Sequence, residues 1–552
     1  MNRMFMIICF VINVLSVSAQ SQEWKWAKSG AGTSDDTGGG IALDANGNSY
    51  VTGYFDSPTI SFGAYTLTNS GTRNIFVVKY DAGGNVLWAK HAGGTGDDIP
   101  GCIAVDAGGN AFVTGRFYSP AITFDTIVLH NVLGADVFVV KYDPSGNAVW
   151  AKGSGGTGDN WGRGICLDGA GDVFVTGLFG SPGITFGTVT LTCAGNSGVF
   201  ITKYDASGNV VWAKSAVGGL DIGYNWGYSI CADAAGNELV TGFFQSPAIN
   251  FGNITLTNNS NILTSDIFLA KYDSYGNVIW AKSAGGTNYD QGGSISTDTA
   301  GNAYLAGEFW SGTITFDTIT ITTDTSAYIF VAKYNPAGDV LWVRAIKGSY
   351  ECFVHADGAG NSYLAGDFYG PTITFGTKTL TSSGGDDVFV VKYNTTGDVL
   401  WAKKAGGTSG DYCRSINADA AGNAYITGFY TSAVIQFDTI SLHNTSGNGF
   451  SQDFFVARLN DIVTTIPGEA VPADGMVIYP NPAGRRIIIN GNGKIHGETM
   501  ITVLNSRGEQ IMHQQFTSQD IMEMDVTNLD CGLYLLQLRT KSGVEVKKLV
   551  IR

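Results

Sequence analysis

The sequence predicts an all-β fold made of seven stacked repeats, and three observations carry that expectation. First, a Trp-Ala-Lys phrase or a close variant recurs at Trp26, Trp88, Trp150, Trp212, Trp280, Trp342 and Trp401, with steps of 62, 62, 62, 68, 62 and 59 residues. A fixed period of this length means supersecondary units that bury their apolar faces only by stacking. Second, the apolar runs are short, rich in Val, Phe and Tyr, and bounded by turn residues, which are strand signals. Third, there are 76 glycines among 552 residues and no helical periodicity, as expected of a chain dominated by tight turns.

One repeat shows the elements in order. Ile103–Asp106 is a strand, followed by a Gly-rich turn and the strand Asn110–Phe117. After a long excursion come the strand Asp136–Asp143, a second Gly turn and the strand Asn147–Lys152. Both turns read Asp-x-x-Gly-Asn, as in Asp81–Asn85 and Asp106–Asn110. The Asp side chain caps a type I turn and Gly takes the left-handed position, so each repeat holds two tight hairpins. Between them lies Ile-x-Phe, two turn residues and a Thr-rich strand. Its aromatic position holds Phe62, Phe124, Phe186, Phe251, Phe316, Phe375 and Phe437. This phrase predicts an extra small hairpin, and it accounts for a unit longer than the roughly 40–45 residues of a WD-repeat blade.

Four principal strands in each of seven units point to a seven-bladed β-propeller. The chain ends are complementary. Trp24–Lys28 is an outer strand with no preceding Phe-Val-Val-Lys-Tyr strand, and Phe454–Leu459 lacks the following Trp-Ala-Lys strand. Joined, they complete one blade. Residues 22–460 resemble the bacterial SBBP repeat family. The resemblance rests on the phrase Asp44–Gly53, the phrase Phe76–Asp81 and the Gly-Gly-Thr loops. It implies a propeller on a secreted or surface protein and no single activity.

Residues 1–19 read as a secretory signal. Arg3 supplies the positive start, Met4–Val17 is largely apolar, and Val17-Ser18-Ala19 gives small residues at the cleavage positions. The run is too short for a membrane anchor, and no later stretch could span a bilayer as a helix. A formal net charge of −15 argues against nucleic-acid binding and against docking on anionic membrane. The cysteines form no Cys-x-x-Cys pair. Five of them (Cys102, Cys166, Cys231, Cys352, Cys413) fall on the same strand of different repeats, poorly placed for bridging, and are read as small buried hydrophobes.

The repeat pattern stops after Asn460. Residues 461–476 form a Pro- and Gly-bearing linker, and residues 477–552 a small Ig-like β-sandwich of short alternating strands. Residues 477–552 resemble the type A C-terminal sorting domain of type IX secretion. The matching positions are Tyr479, Pro480, Asn481 and Pro482, then Gly508, then Leu529, Gly532 and Tyr534, then Lys547, Lys548 and Val550. Cys531 departs from the small residue expected before that Gly. The resemblance implies export by the type IX machinery to the surface of a gram-negative bacterium, often with removal of this domain.

The sequence holds no catalytic constellation. Gly153–Gly158 matches Gly-x-Gly-x-x-Gly, but a strand follows where a dinucleotide site needs a helix. The six histidines fall at unrelated positions without metal-ligand spacing. The loops entering each innermost strand are more informative. Eight residues before the first-turn Asp stand Asp36, Asp98, Asn160, Asn225, Asp290, Ser349 and Asp411. A residue type that recurs in nearly every repeat is most simply scaffold, here a turn cap. Its functional alternative is a ring of calcium ligands with Asp36, Asp98, Asp290 and Asp411 as the carboxylates. One position later the chain reads Thr37, Ile99, Trp161, Trp226, Gln291, Tyr350 and Tyr412. The aromatics among these, with Tyr224 and Tyr289 nearby, are the candidate ligand contacts, and packing between blades is the alternative.

The reading is therefore a secreted or cell-surface propeller that binds glycan or protein. Its rivals are a hydrolase or lyase acting in the central channel and a structural surface-layer component. Clustered, perturbed carboxylates in the channel would favour the enzyme, and a Gly-lined channel would argue against it.

Overall fold

The structure is a computed structural model. It describes residues 19–551 apart from 31, 181, 220–222, 260–263, 325–326, 446–450, 465–476, 480–482, 484–485, 491–497, 506–509, 518–520, 531 and 541–542. The signal segment before residue 19 lies outside the described residues, as do Pro480, Asn481, Pro482 and Gly508 of the sorting motif. Gln22–Ile462 forms one compact unit, and residues 463–552 fall in the other. The described residues are strands and turns without a helix, in a propeller-like all-β arrangement.

The larger unit consists of seven antiparallel sheets of four principal strands, one per repeat. In the first repeat these are Asp36–Leu43, Ser49–Phe55, Asn74–Tyr80 and Val86–Ala92. The second and third strands are buried on both faces, so they read as continuous apolar runs. First strands of successive repeats pack side by side, and that of the seventh packs against that of the first. The seventh sheet has the strand order Ala19–Ser29, Asp453–Thr464, Ala424–Tyr430, Asp411–Ala418. The two ends of the unit thus complete one sheet, which removes two exposed edges. The strand Asp453–Thr464 continues past Asn460, where the sequence suggested a linker. Asp461 belongs to this strand and pairs with Lys392 at 2.9 Å.

The Trp-Ala-Lys phrase owes its recurrence to a contact between repeats. Trp26, Trp88, Trp150, Trp212, Trp280 and Trp342 each donate Nε1–H to a backbone carbonyl in the second Gly turn of the next repeat, at 3.0–3.2 Å. Gly84 of one such turn has φ +81°, and a Cβ there would stand 2.8 Å from Cδ2 of Trp26. Glycine is needed for the left-handed backbone and for the indole lying against it. Trp401 differs. The seventh repeat has no Gly turn to offer, and the Nε1 of Trp401 has no partner among the described residues.

The extra hairpins form in all seven repeats. Each carries its Phe onto the Phe of the third strand of the same repeat, with ring centroids 4.8–5.4 Å apart. Several also pair with the outer strand of the preceding repeat, as in Gly155 with Thr185 and Ala216 with Phe251. The hairpin therefore covers a neighbour's open edge. Where its first turn residue is Asp125 or Asp438 instead of Gly, φ is still positive. The carboxylate then accepts from Lys90 or Lys403 of the preceding repeat, at 3.2 and 2.8 Å.

The smaller unit holds a three-stranded sheet (Val477–Tyr479, Arg486–Asn490, Ile521–Asp525) and a four-stranded one (Gln510–Thr517, Glu498–Leu504, Gly532–Thr540, Gly543–Ile551). They share a core that includes Ile487, Ile489, Ile501, Val503, Met522, Leu536 and Leu549. Gly532, Tyr534, Lys547 and Lys548 lie on the final hairpin, where Lys548 stands opposite Leu535 and the Tyr534 hydroxyl donates to the Asp530 carbonyl at 3.0 Å.

Candidate binding site at the mouth of the ring

The side chains of the Asp ring are held inside their own repeats. Asp36, Asp98, Asp290 and Asp411 are fully buried. Each accepts a hydroxyl hydrogen bond from a serine of the loop after the second strand: Ser57, Ser119, Ser311 and Ser432, at 2.7–2.9 Å. Backbone N–H groups of Gly94, Gly286 and Gly407 also donate to three of them. Asn225 does the same work by donating Nδ2–H to Ser246 at 2.9 Å. The four carboxylates offered as calcium ligands in the alternative reading stand in four different repeats, each hydrogen-bonded within its own repeat. Among the described residues no group of three or more His, Cys, Asp or Glu is placed to hold a metal ion.

The next position points elsewhere. First strands of all seven repeats line a central cavity of about 790 Å³. Part of its wall is bare backbone at Gly38, Gly39, Gly101 and Gly293. At the place in the first strand where repeats 1, 2 and 5 have Gly39, Gly101 and Gly293, repeats 3, 4 and 7 have Arg163, Tyr228 and Arg414, which project into the cavity wall. Across the ladder from the variable aromatic position stands a second variable one. The register sets Thr37 opposite Tyr54, Ile99 opposite Arg116, Trp161 opposite Leu178, Trp226 opposite Phe243 and Gln291 opposite Glu308. Asp367 is the sixth repeat's residue at that position. The mouth is thus built from three positions per repeat, of which the sequence reading found one.

Two sides of the mouth differ. On the side of repeats 2–4, Trp161 carries the guanidinium of Arg163 at 3.6 Å from its ring centroid and that of Arg116 at 3.9 Å. Trp226 sits in a cluster with Tyr224, Tyr228 and Phe243, at centroid distances of 5.5–6.4 Å. Trp161, Trp226, Tyr224 and Arg116 line a second cavity of about 510 Å³. Trp161 and Trp226 are partly buried and Tyr224 is 48 % exposed. The two tryptophans are therefore neither core nor free surface rings.

On the side of repeats 5–7 the side chains are acidic and aromatic. Tyr350, 44 % exposed, stacks between Trp310 and Tyr369, with centroids 5.7 and 4.4 Å away and planes within 18°. Glu308 and Glu351 line the cavity beside Tyr350. Burial, with the charge of Glu351 added, pushes the Glu308 carboxyl up to about 7. Asp367 is buried and raised well above the usual carboxylate range, with Arg414 opposing the shift. Arg414 is ion-paired with Glu351. Tyr412 packs on Phe429 at 4.9 Å and donates to Asp386 at 3.0 Å. It lines neither cavity, and neither does Tyr289, which is 44 % exposed.

Cys102 and Cys352 also line the central cavity. Cys102, Cys166, Cys231, Cys352 and Cys413 are free thiols; Cys352 and Cys413 are buried, and the other three are only partly so. Burial raises all five thiols, which makes them poor nucleophiles.

Residues 477–552 match the secretion system C-terminal sorting domain. This tail marks the chain for secretion or the cell surface. No helix among the described residues is long and apolar enough to cross a membrane. Over 84 % of its length the chain is 25 % identical to an uncharacterized WD repeat-containing protein of Acanthamoeba polyphaga mimivirus, covering 39 % of that protein. Over 49 % of its length it is 25 % identical to the regulatory protein FlaEY of Caulobacter vibrioides, covering 24 % of it. The chain thus spans well under half of either relative. Among solved structures, Synechocystis apocarotenoid oxygenase aligns over 77 % of this chain and 92 % of its own, at 9 % identity and a TM-score of 0.32. A protein of unknown function from Bacteroides caccae aligns over 56 % and 81 %, at 11 % identity and a TM-score of 0.28.

Proposed function

We propose that this chain is a surface-displayed or secreted, seven-bladed β-propeller that binds a glycan at the mouth of its central channel. In this reading a small Ig-like domain delivers it through type IX secretion. The observation that carries the binding role is the stack of Trp310, Tyr350 and Tyr369 beside the cavity. With Tyr350 held between them, the outer faces of Trp310 and Tyr369 give apolar area for the faces of sugar rings, and neighbouring Glu308, Glu351 and Gln291 supply hydroxyl partners. A mouth whose side chains change from repeat to repeat, on a scaffold that does not, supports a site specialised for one ligand. The export reading is supported by the sorting-domain match and by the ordered motif from Leu529 to Val550.

A glycan array probed with the full chain tests the binding role. Changing Trp310 and Tyr350 together to Ala should weaken the strongest hit by about tenfold or more, since each stacked ring contributes on the order of 1 kcal/mol. An unchanged hit would remove the platform from the site. Removing residues 477–552 should leave the propeller in the periplasm of the native host, and equal surface amounts of both forms would overturn the export reading.

A second reading, a hydrolase or lyase, has one observation in its favour. Glu308 sits in the cavity next to a second carboxylate with its own carboxyl raised to about 7, as suits a general acid near neutrality. Chromatography of the bound glycan after long incubation decides between the two readings, because shortened products appear only if the site is catalytic.

A further inference from the structure

We infer that the rim cavity beside Trp161 is an anion seat, in which Arg116, held on the Trp161 ring that Arg163 backs from its other face, receives the carboxylate or sulfate group of an acidic saccharide. This rests on the glycan-binding reading above and adds the chemical class of the sugar.

The argument begins with packing. Two guanidinium groups stand 3.6 and 3.9 Å from one indole ring, that of Trp161. Both cannot fit on one face at that distance, so Trp161 is held between them. Its faces are occupied, and its role is to orient the arginines, not to stack on sugar. A guanidinium lying flat on an indole keeps its N–H groups pointing outward along its edge, which is the geometry that takes an anion in a bidentate manner.

The second observation concerns partners. Arg73 and Arg414 of the central cavity are paired, with Asp56 at 2.7 Å and with Glu351. Neither Arg116 nor Arg163 has an ion pair among the described residues. The Nε atoms of both are buried and without a hydrogen-bond partner there. Two cations of like sign sharing one ring, each short of acceptors, form an arrangement that an arriving anion relieves. Burial and the neighbouring charge of Arg116 both press the Arg163 guanidinium down, while Glu351 acts the other way.

The third observation is room. Arg116 and Trp161 line the rim cavity of about 510 Å³ whose other wall includes Tyr224 and Trp226, while Arg163, behind the indole, lines the central cavity. Tyr224 leaves an exposed ring for the sugar body. Asp159 also lines this cavity, and its Oδ1 already accepts from the Ala135 N–H at 3.1 Å. The net charge of −15 repels polyanions in general, so binding of one must be local to this seat.

The test is titration calorimetry of the full chain with three probes of equal length: oligogalacturonate, sulfated dextran oligosaccharide and uncharged malto-oligosaccharide. The expected result is that one acidic probe binds and the uncharged probe does not. Which acidic probe binds tells carboxylate from sulfate. Arg116→Met should weaken that binding by about tenfold or more, as loss of a charge-assisted hydrogen bond does, and Arg163→Met, which removes only the backing of Trp161, by a smaller factor. The melting temperature should hold or rise, because each change removes an unpaired cation and keeps the stem. If Arg163→Met fails to fold, Arg116→Met carries the test alone. Acidic-probe binding that is unchanged in the folded variants overturns the anion seat. Equal binding of the uncharged probe also overturns it and leaves the glycan reading standing. If no saccharide in the array or in this set binds the parent chain, both fall.

Discussion

At the outer edge of the ring, six tryptophans make one contact six times. At the mouth, the same seven repeats present Gly39, Gly101, Arg163, Tyr228, Gly293, Cys352 and Arg414 at one position counted from the first-turn Asp. The two regions belong to the same sheets and differ in what their side chains meet. An edge indole meets the Gly turn of the next repeat, a partner fixed by the fold, so only Trp fits its seat and its carbonyl. A mouth side chain faces the cavity, where any residue that tolerates partial burial is allowed. Repetition therefore reports packing between repeats, and departure from repetition reports the surface left open for a ligand.

The largest expected effect breaks the ring itself. Deleting residues 20–28 removes Trp24, Trp26 and the outer strand that completes the seventh sheet. It exposes a long edge, and the melting temperature should fall by about 5–10 °C with increased association in light scattering. A deletion that melts like the parent would mean that closure at this sheet contributes little.

A smaller effect sharpens the edge half of the comparison. Trp88→Phe removes the indole donor at 3.0 Å, leaves the Pro144 carbonyl only the longer bond from Lys79 at 3.4 Å, and should cost about 1 kcal/mol in denaturant unfolding. Trp401→Phe removes an N–H that has no partner among the described residues, so its cost should be clearly smaller. Equal losses would show that indole volume, not the hydrogen bond, sets the contact.

Glu238 tests how strictly the inner positions are policed. It is fully buried, and neither carboxylate oxygen has a hydrogen-bond partner among the described residues. Ala111, Ala303 and Ala424 occupy the same place in other repeats. Burial pushes its carboxyl from 4.5 up to about 8, with Lys203 opposing. A raised carboxyl binds its proton more tightly in the folded chain. Its contribution is thus fully present below pH 4.5 and is lost as the pH rises through about 8. Glu238→Ala should melt about a degree or more above the parent at pH 9 and show no such gain at pH 4. A gain of the same size at both pH values would place its cause in packing, not charge.

The smallest effect is expected at Tyr289. Its exposed ring lines neither cavity, so Tyr289→Ser should leave the melting temperature within about a degree and leave glycan binding unchanged. Weakened binding would extend the mouth beyond the two cavities.

The candidate site was one-third legible in advance. Trp161, Trp226 and Tyr350 stood out because they vary at a position counted from an invariant Asp. Arg163 and Arg414 carry the same signal two residues later, where other repeats have Gly, and a systematic search for Gly replaced by a long side chain would have found them. Arg116, Glu308 and Asp367 lie one strand away, and only pairing across the ladder brings them to the same mouth. Tyr412, at the counted position, packs on Phe429 and donates to Asp386, and Tyr289, a nearby ring, lines neither cavity.

The sequence by itself determined the strands, the turns and the number of repeats, because these follow from local chemistry. Asp44 accepts from the backbone N–H groups of Asn46 and Asn48 at 2.9 and 3.0 Å with Gly47 in the left-handed region, an arrangement contained within five residues. The tertiary structure alone decided where each indole docks, which edge each small hairpin covers, and which charges face one another at the mouth. Those outcomes depend on contacts between residues about 20–60 positions apart, as between Trp88 and Pro144 or Gln291 and Glu308. No local propensity encodes such a contact; it exists only once the ring has closed.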